Sequence, residues 1–312
     1  MTSFAFVFPG QGSQAVGMLD GWGDNTSVRQ TLQEASEALG RDMASLIQAG
    51  PKDQLDLTTN TQPVMLTAGI ACYRAWIAET QSVPSVIAGH SLGEYTALVA
   101  AGSLMLIDAL PLVRFRAEAM QQAVPVGVGA MAAILGLDSQ VVSDECAKIV
   151  SAIGEVVEAV NFNDPKQTVI AGTRAGVEMA CEACKSAGAK RAISLPVSAP
   201  FHSSLMKPAA EQLLVKLAAT SFASPLVPVV NNVDVHTVQD PNTIRDALYR
   251  QAFGPVRWVE TVRAIRARGV THVIECGPGK VLTGMVKRID PEAISGAVFD
   301  SASLVEVKGM LA

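Results

Sequence analysis

Residues 85–101 read Ser-Val-Ile-Ala-Gly-His-Ser-Leu-Gly-Glu-Tyr-Thr-Ala-Leu-Val-Ala-Ala. A short apolar run ends in a Gly-x-Ser-x-Gly turn, and a stretch rich in Ala and Leu follows. The pattern predicts a buried strand, a tight turn and a helix. This order is the nucleophile elbow, whose strained turn presents a serine above the end of a sheet. Ser91 is therefore a candidate nucleophile, and the Leu92 amide at the helix N-terminus is a candidate oxyanion donor. The alternative is an ordinary glycine-rich turn with a buried serine.

Apolar runs and helical patterns continue from the elbow in both directions. Strands are predicted at 4–9, 227–231 and 272–276, and helices at 27–39, 62–79, 92–101, 108–123, 204–219, 243–252, 256–268 and 280–289. Strands that alternate with helices predict a mainly parallel sheet with helices on both faces. The tail after Asp290 shows no clear pattern.

Residues 129–197 follow a different order. They predict a strand, a helix, two strands, a helix and a strand, which is the βαββαβ order of a ferredoxin-like unit. Gly127 and Pro196 mark its two ends. The sequence therefore predicts an α/β protein. A large α/β-hydrolase-like domain with a parallel sheet (1–126 and 198–312) contains an inserted ferredoxin-like small domain (127–197).

The composition excludes several classes of protein. The chain has 312 residues, a net charge of −5 and 17% charged residues, whereas soluble domains average about 25%. A disordered chain is rich in charge and a nucleic-acid-binding domain is basic, so both are excluded. Pro and Gly break the uncharged stretches, which argues against a membrane-spanning helix, and the N-terminus lacks the basic region of a signal peptide. We expect a cytoplasmic protein that binds neither membranes nor nucleic acid.

The five cysteines predict no disulfide framework. Their number is odd and their spacing follows no framework pattern, which suits a reducing cytoplasm. Cys181 and Cys184 form a Cys-x-x-Cys pair inside a helical pattern, without a second pair elsewhere. We interpret this pair as helix packing and expect no metal site.

A serine nucleophile needs a base, and the chain has four histidines. His202 lies in Pro-Phe-His-Ser-Ser, between the inserted unit and the next helix, and is the candidate base. His90, His236 and His272 are interpreted as structural, and His90 is expected to point away from the tight turn. Asp164 follows the order Ser…Asp…His of the hydrolases, but it lies in a predicted hairpin turn where Asp is common. The acid partner of His202 is therefore open, and a neutral acceptor is the alternative.

Two glycine-rich stretches match nucleotide-binding motifs only loosely. Residues 10–15 fit Gly-x-Gly-x-x-Ala, but Pro9 and a polar run delay any helix. Residues 277–280 (Gly-Pro-Gly-Lys) lack the frame of a phosphate-binding loop and predict a strand-to-helix turn. We expect no bound cofactor.

Seven motifs occur in an order that is typical of one family. They are Phe8–Gln14 (FPGQGSQ), Thr61–Pro63 (TQP), Gly89–Glu94 (GHSLGE), Arg114–Arg116 (RFR), Gly129–Ala133 (GAMAA), Pro196–His202 (PVSAPFH) and Glu275–Gly279 (ECGPG). Over residues 4–290 the chain closely resembles the malonyl-CoA:acyl-carrier-protein transacylases of bacterial type II fatty-acid synthesis.

The resemblance implies a ping-pong acyl transfer. Ser91 would take the malonyl group from malonyl-CoA with His202 as base, and the phosphopantetheine thiol of acyl carrier protein would accept it. The backbone amides of Gln11 and Leu92 match the family's oxyanion hole. Arg116 matches the arginine that pairs with the malonyl carboxylate, and a guanidinium suits a carboxylate bidentately.

Further positions of the pocket are also implied by the resemblance. Gln251 matches the residue whose backbone carbonyl orients the histidine, which would explain the missing acid. Leu92 and Phe201 fit the malonyl-selective pattern, because bulky residues leave no room for an α-methyl group. Three more residues match pocket-lining positions, namely Gln62, Met131 and Asn161. Their alternatives are core packing and turn capping.

Charge is missing from most of these motifs. Uncharged windows are Met1–Leu19, Leu57–Tyr73, Thr80–Gly93, Ala119–Leu137, Ala192–Met206 and Leu217–Val233, and all but the last contain positions matched to the family's site. The sequence thus predicts a dry acyl pocket into which a single cation, Arg116, is brought from outside the windows.

Acyl carrier protein is the expected partner. Residues Arg245–Arg288 contain nine Lys and Arg against three acids, and a carrier protein of this system is typically acidic, so we consider this region as a docking surface. A solvated helix face is the alternative. We expect a monomer.

Other functions are open from the sequence. One alternative is a serine hydrolase or thioesterase on the same elbow. Another is a discrete acyltransferase of a polyketide or malonate decarboxylase pathway, and a third is a non-catalytic carrier-binding subunit.

Overall fold

A computed structural model describes residues 2–197 and 199–312. The strands are β1 (Phe4–Phe8), β2 (Val86–Gly89), β3 (Gly129–Leu135), β4 (Val157–Asp164), β5 (Gln167–Thr173), β6 (Arg191–Ser194), β7 (Val229–Val230), β8 (His272–Cys276) and β9 (Ile294–Val298). The helices are α1 (Thr26–Leu39), α2 (Met43–Ala49), α3 (Lys52–Asp56), α4 (Thr58–Thr80), α5 (Gly93–Ala100), α6 (Leu106–Gln122), α7 (Ser139–Ile153), α8 (Arg174–Ser186), α9 (Lys207–Ala219), α10 (Pro241–Gln251), α11 (Trp258–Arg266), α12 (Val281–Ile289) and α13 (Ser301–Leu311).

The larger sheet is parallel throughout. Its strand order is β7-β2-β1-β8-β9, and β1 lies in the middle. Side chains alternate along β1, so its three phenylalanines pack into one hydrophobic core with Trp76, while Ala5 and Val7 belong to the core on the other face. The Phe6 and Trp76 rings meet edge to face, with centroids 5.4 Å apart. Both faces are covered by helices, as the alternating pattern predicts.

The second sheet is antiparallel. Its order is β4-β5-β3-β6, and α7 and α8 pack against it through a separate core. Along the chain these elements follow the βαββαβ order, so the prediction of a ferredoxin-like unit beside a parallel sheet is confirmed. The limits 127 and 197 stay a prediction. Met1 and Ser198, at which the two predicted segments of the large domain begin, lie outside the described residues.

The tail holds structure that the sequence pattern did not reveal. Residues 294–298 form the edge strand β9 beside β8, and Asp300 caps α13 through the amide of Ser303. The sequence pattern allowed no prediction for this tail. A five-residue edge strand with one exposed end is too short to show alternation. Within the described residues, no helix combines the length and the apolarity that crossing a bilayer requires.

The elbow joins β2 to α5 through three residues, His90, Ser91 and Leu92. Ser91 has φ 53°, a left-handed backbone conformation that side chains disfavour. A Cβ on Gly89 would lie 1.9 Å from the carbonyl carbon of Gly93, and one on Gly93 would lie 2.1 Å from the carbonyl oxygen of Phe8. The two glycines therefore allow α5 to start directly above β1 and β2, and this close approach fixes the position of Ser91.

We expect Gly93→Ala to lower the free energy of unfolding by more than about 2 kcal/mol, because the added Cβ strikes the backbone of β1. Gly309→Ala is the matched control, since it also adds one methyl group to a helix but meets nothing within 4 Å. The free energy of unfolding of this control should be slightly higher than that of wild type, by no more than about 1 kcal/mol. Urea unfolding measures both. Equal values for the two variants would contradict the close approach.

Candidate active site

A cavity of about 230 Å³ lies between the two sheets. The large unit supplies Ser91, Arg116 and His202, and the antiparallel sheet supplies Met131 and Asn161. Other lining residues include Pro9, Gly10, Gln11, Gly12, Ser13, Gln62, His90, Leu92, Met120, Asn163, Phe201, Val281, Leu282 and Met285. Among the lining residues that the structure describes, Arg116 is the one Lys, Arg, Asp or Glu. The cavity is therefore lined by uncharged residues apart from this single fixed charge.

Ser91 and His202 are in direct contact. The Ser91 Oγ lies 2.7 Å from Nε2 of His202, and Nδ1 of His202 lies 2.9 Å from the carbonyl oxygen of Gln251. A carbonyl only accepts, so Nδ1 carries the proton and Nε2 presents its lone pair to the serine hydroxyl. Burial, and then the positive charge of Arg116, lower the pKa of His202 to about 3. The imidazole is consequently neutral at neutral pH, and its Nε2 lone pair is directed at the serine hydroxyl.

Two residues that line the cavity, Gln11 and Leu92, have backbone amides that are free within the described residues. Leu92 is the first residue before α5, and Gln11 lies in the loop that follows β1. In residues 2–197 and 199–312, neither amide donates to a protein acceptor, whereas the neighbouring amide of Gly12 is bonded to Gln14. Two free N–H groups beside a serine, one of them at the positive end of a helix dipole, can stabilise a negatively charged oxygen.

Arg116 is almost completely buried, with 2% of its surface exposed. Its Nη1 donates to Oε1 of Gln62 (2.8 Å), and its Nη2 donates to Oε1 of Gln251 (3.1 Å) and to the Ser91 Oγ (3.4 Å). Its Nε has no partner, and no described carboxylate lies within 4.0 Å of the guanidinium. A buried cation without a counter-ion is costly, so this cavity favours a ligand that carries an anion.

A buried network that sequence reasoning missed supports the pair. The Oδ1 of Asn232 accepts from the Ser91 amide (2.8 Å), and its Nδ2 donates to the carbonyl of Gly89 (2.7 Å). Glu94 accepts from the backbone amide of Asn232 and from Nε2 of Gln251. Burial raises the pKa of Glu94 to about 7. Asn232 follows β7, which is the neighbour of β2. Its position after a strand that lies beside the elbow is the feature by which the sequence could have indicated it.

The remaining predicted residues also lie at the cavity. Gln62 of α4 and Met131 of β3 are buried, and Phe201 is half-buried beside His202. Asn161 of β4 is buried and forms an isolated parallel bridge with Val256. The site residues predicted from the resemblance thus line the cavity, except Gln251, which hydrogen-bonds to His202 and Arg116.

The other histidines and the candidate acid take different places. The Asp164 carboxylate accepts from the Lys166 amide and from Arg288 and does not contact His202. The Ser…Asp…His alternative is therefore wrong, because Asp164 closes its own hairpin turn. His90 bonds Asn163 rather than Ser91, although its ring still lines the cavity.

The cysteines and glycine loops show no further chemistry. Cys181 and Cys184 lie on α8 in the core of the antiparallel sheet, and burial raises the pKa of both thiols. No group of three or more His, Cys, Asp or Glu within the described ranges could hold a metal ion. Residues 10–15 contain a turn at 11–12 and otherwise lack regular structure, so they do not start a helix, and 277–280 lead into α12.

Comparison with known proteins agrees with this geometry. The family model of the acyl transferase domain matches residues 5–299. A malonyl CoA-acyl carrier protein transacylase from Salmonella typhimurium is 53% identical over 97% of this chain and 98% of its own. The structure of an acyl-carrier-protein S-malonyltransferase from Burkholderia pseudomallei is 64% identical, with a TM-score of 0.96 over 98% of this chain and 99% of that one.

A third similar structure contains a partner. It is a type II PKS acyl-carrier protein in complex with its malonyl-transacylase, and the matched chain is 50% identical with a TM-score of 0.95, covering 97% of this chain and 98% of that one. The family match and these relatives fit the elbow, the Ser91–His202 pair and the inserted sheet. The chain therefore belongs to the acyl transferase domain family, among the malonyl CoA-acyl carrier protein transacylases.

Proposed function

We propose that this enzyme transfers the malonyl group from malonyl-CoA to the phosphopantetheine thiol of acyl carrier protein and so supplies fatty-acid chain elongation. The observation that carries the proposal is the buried guanidinium of Arg116, which lies 3.4 Å from the Ser91 hydroxyl and has no ion pair among the described residues. An acyl group that ends in a carboxylate gives this cation its missing counter-ion while its thioester carbonyl lies at the serine. The named relatives support the same chemistry.

In the first half-reaction, the Ser91 Oγ attacks the thioester carbonyl while Nε2 of His202 takes its proton. The carbonyl oxygen becomes an anion, to which the Leu92 and Gln11 amides donate. The carbonyl of Gln251 holds the other imidazole nitrogen and stabilises the imidazolium. The intermediate then expels CoA, whose sulfur receives the proton from His202, and a malonyl-serine ester remains.

The second half-reaction runs the same steps in reverse with another thiol. The phosphopantetheine thiol gives its proton to His202 and attacks the ester carbonyl, and Ser91 regains a proton as it leaves. The groups of this chain thus supply base, oxyanion donors and charge recognition without a bound cofactor. Phe201 and Leu92 narrow the space beside the acyl chain, which supports malonyl over branched acyl groups.

A second candidate is transfer to the carrier of a polyketide pathway. The 50% identical complex with a type II PKS carrier favours it. The two functions share all the chemistry at Ser91 and differ only in the protein that brings the thiol. A hydrolase is less well supported, because Asp164 is engaged by Arg288 and a backbone carbonyl holds His202.

We also propose where the carrier docks. Of the nine basic residues in Arg245–Arg288, four are ion-paired, namely Arg250, Arg257, Arg266 and Arg288. Exposed members that form no ion pair within the described residues include Arg263 of α11, Lys287 of α12 and Lys280, which immediately precedes the cavity-lining Val281. Free positive charge beside the cavity would steer an acidic carrier toward it.

Two more features of the protein are proposed. The five cysteines are free, which supports a reducing cytoplasm as its compartment. A single chain supplies both sheets that enclose the cavity, and this supports a monomer as the active unit.

Mixing the enzyme with malonyl-CoA should give a persistent malonyl adduct on Ser91, because the ester waits for a thiol acceptor. Intact-protein mass spectrometry detects it, and Ser91→Ala should show none. Addition of the carrier protein should then discharge the adduct. Rapid release of free malonate without a carrier would support a hydrolase, and the absence of any adduct would support a non-catalytic subunit.

Arg116→Ala should lower kcat/KM for malonyl transfer by about 100-fold or more, because it removes the buried partner of the substrate carboxylate. Acetyl transfer, which needs no such partner, should be retained. Arg114→Ala, on the same helix but exposed and bonded to Glu118, is the control. Equal losses for the two acyl groups would contradict the role of Arg116 as a carboxylate clamp.

Reversing charge at Arg263 and Lys287 together (Arg263→Glu, Lys287→Glu) should raise the KM for carrier protein about fivefold or more at low salt, and less at high salt. Acylation by malonyl-CoA should stay unchanged. Arg41→Glu, an exposed arginine outside this region, is the control. An unchanged KM for the carrier at low salt would show that the carrier protein binds to a different surface.

A further inference from the structure

Strand β4 belongs to the antiparallel sheet, yet its middle is bonded to the large unit. The amide of Val256 donates to the carbonyl of Val160 (2.8 Å), and the amide of Phe162 donates to the carbonyl of Val256 (3.0 Å). These main-chain bonds hold β4 against the segment that precedes α11. The strand therefore has a fixed position relative to both halves of the site.

Near its start, β4 presents a carboxylate to the turn that carries the base. Glu158 accepts twice from Ser204, at Oε2 from the backbone amide (2.8 Å) and at Oε1 from the hydroxyl (2.6 Å). Ser204 lies two residues after His202, which has φ 65°. A residue held in this left-handed region persists only where its surroundings fix it. The paired hydrogen bonds of Glu158 fix the chain directly after the strained residue.

Near its end, β4 presents the side-chain amide of Asn163 to His90, the residue before the nucleophile. Oδ1 of Asn163 accepts from Nε2 of His90 at 2.8 Å, and the ring of Trp258 packs edge-on against His90 with centroids 5.4 Å apart. Ser91, the next residue, is also in the left-handed region, with φ 53°. The side chain of His90 is thus fixed from two directions beside the strained serine.

A regular strand could not present both side chains to the same neighbour. Residues 158 and 163 differ by an odd number, and successive side chains of a strand point to opposite faces. Strand β4 has two register shifts against β5, between Ala159 and Asn161 and between Phe162 and Asp164. Bulges of this kind redirect side chains and occur beside active sites. They allow both Glu158 and Asn163 to face the large unit.

We propose that β4 is the element that aligns the Ser91–His202 pair, with Glu158 acting through Ser204 and Asn163 acting through His90 as positioning residues. This inference rests on the proposed acyl transfer at Ser91. Neither residue touches the reacting atoms. Both set the distance between the serine hydroxyl and the imidazole, on which proton transfer depends.

The test compares Glu158→Ala and Glu158→Gln with the matched control Glu155→Gln. Glu155 is also a glutamate of the small unit that accepts from a hydroxyl, but its partner Thr173 lies within the same unit. The readouts are the rate at which a fluorophosphonate labels Ser91, the kcat and KM for malonyl-CoA, and the melting temperature. The fluorophosphonate reacts with any activated serine, so labelling reports on alignment even if malonyl transfer itself is disproved.

We expect Glu158→Ala to slow labelling and to lower kcat by about 10- to 100-fold with KM little changed. Glu158→Gln, which keeps one acceptor oxygen, should recover part of both rates, and Glu155→Gln should equal wild type. Labelling by Glu158→Ala within twofold of wild type, with only the melting temperature lowered, would overturn the proposal. If that variant does not fold, Ser204→Ala removes one of the two hydrogen bonds and should slow labelling severalfold; an unchanged rate would again overturn it.

Asn163→Ala tests the other end of the strand. It should slow labelling as well, and the double variant with Glu158→Ala should be slowed by less than the product of the single effects, because both act on one Ser91–His202 contact. If the double variant is slowed by the full product of the two single effects on the labelling rate, Glu158 and Asn163 act independently. That result would overturn the proposal that one strand aligns the pair.

Discussion

The 2.7 Å hydrogen bond between Ser91 and His202 joins two strained residues that lie 111 positions apart. A left-handed backbone costs a non-glycine residue roughly 1–2 kcal/mol, so each must be held by its surroundings. Asn232 holds the serine turn through two hydrogen bonds, and the carbonyl of Gln251 holds the imidazole. With net contributions of about 0.5–1.5 kcal/mol for each hydrogen bond, a few such contacts offset the strain. The close packing of Gly93 against β1 and of Gly89 against the start of α5 also restrains the serine turn.

The second constraint is the charge of the cavity. Hydrogen bonds link Arg116 to Glu94 through Gln251, which accepts from the guanidinium and donates to the carboxylate. Burial raises the pKa of Glu94 to about 7, so at neutral pH its negative charge is only partly present. Since charges interact strongly where water is excluded, the incomplete neutralisation of Arg116 supports the proposed preference of the cavity for an acyl group that brings its own carboxylate.

The sequence was informative where a feature is local. The elbow is a contiguous pattern of strand, turn and helix, and the βαββαβ order follows from successive periodicities, so both could be predicted. Asn232 and Glu158 could not, because their partners are 141 and 46 positions away and their residue types are ordinary in turns and strands. The acceptor for His202 is a backbone carbonyl, which every residue possesses and which therefore leaves no mark in a sequence.

The charge count of Arg245–Arg288 illustrates the same limit. Asp290 and Asp164 lie outside this stretch yet pair with Arg266 and Arg288, so the excess of positive charge in the sequence overstates the free charge on the surface. Only the folded chain separates paired from free cations.

The position of the inserted unit in the chain has a structural consequence. It interrupts the sequence between Arg116 and His202, so the cation and the base reach the cavity from either side of the insertion. Gly129, where β3 begins, packs so closely on Pro200 that a Cβ would lie 2.4 Å from the proline ring. Pro200 lies two residues before His202. The start of the insertion thus rests on the approach to the base while Glu158 holds the chain just beyond it. A unit that only formed a wall of the cavity would need neither contact, so both indicate that the small sheet also sets the geometry of the Ser91–His202 pair.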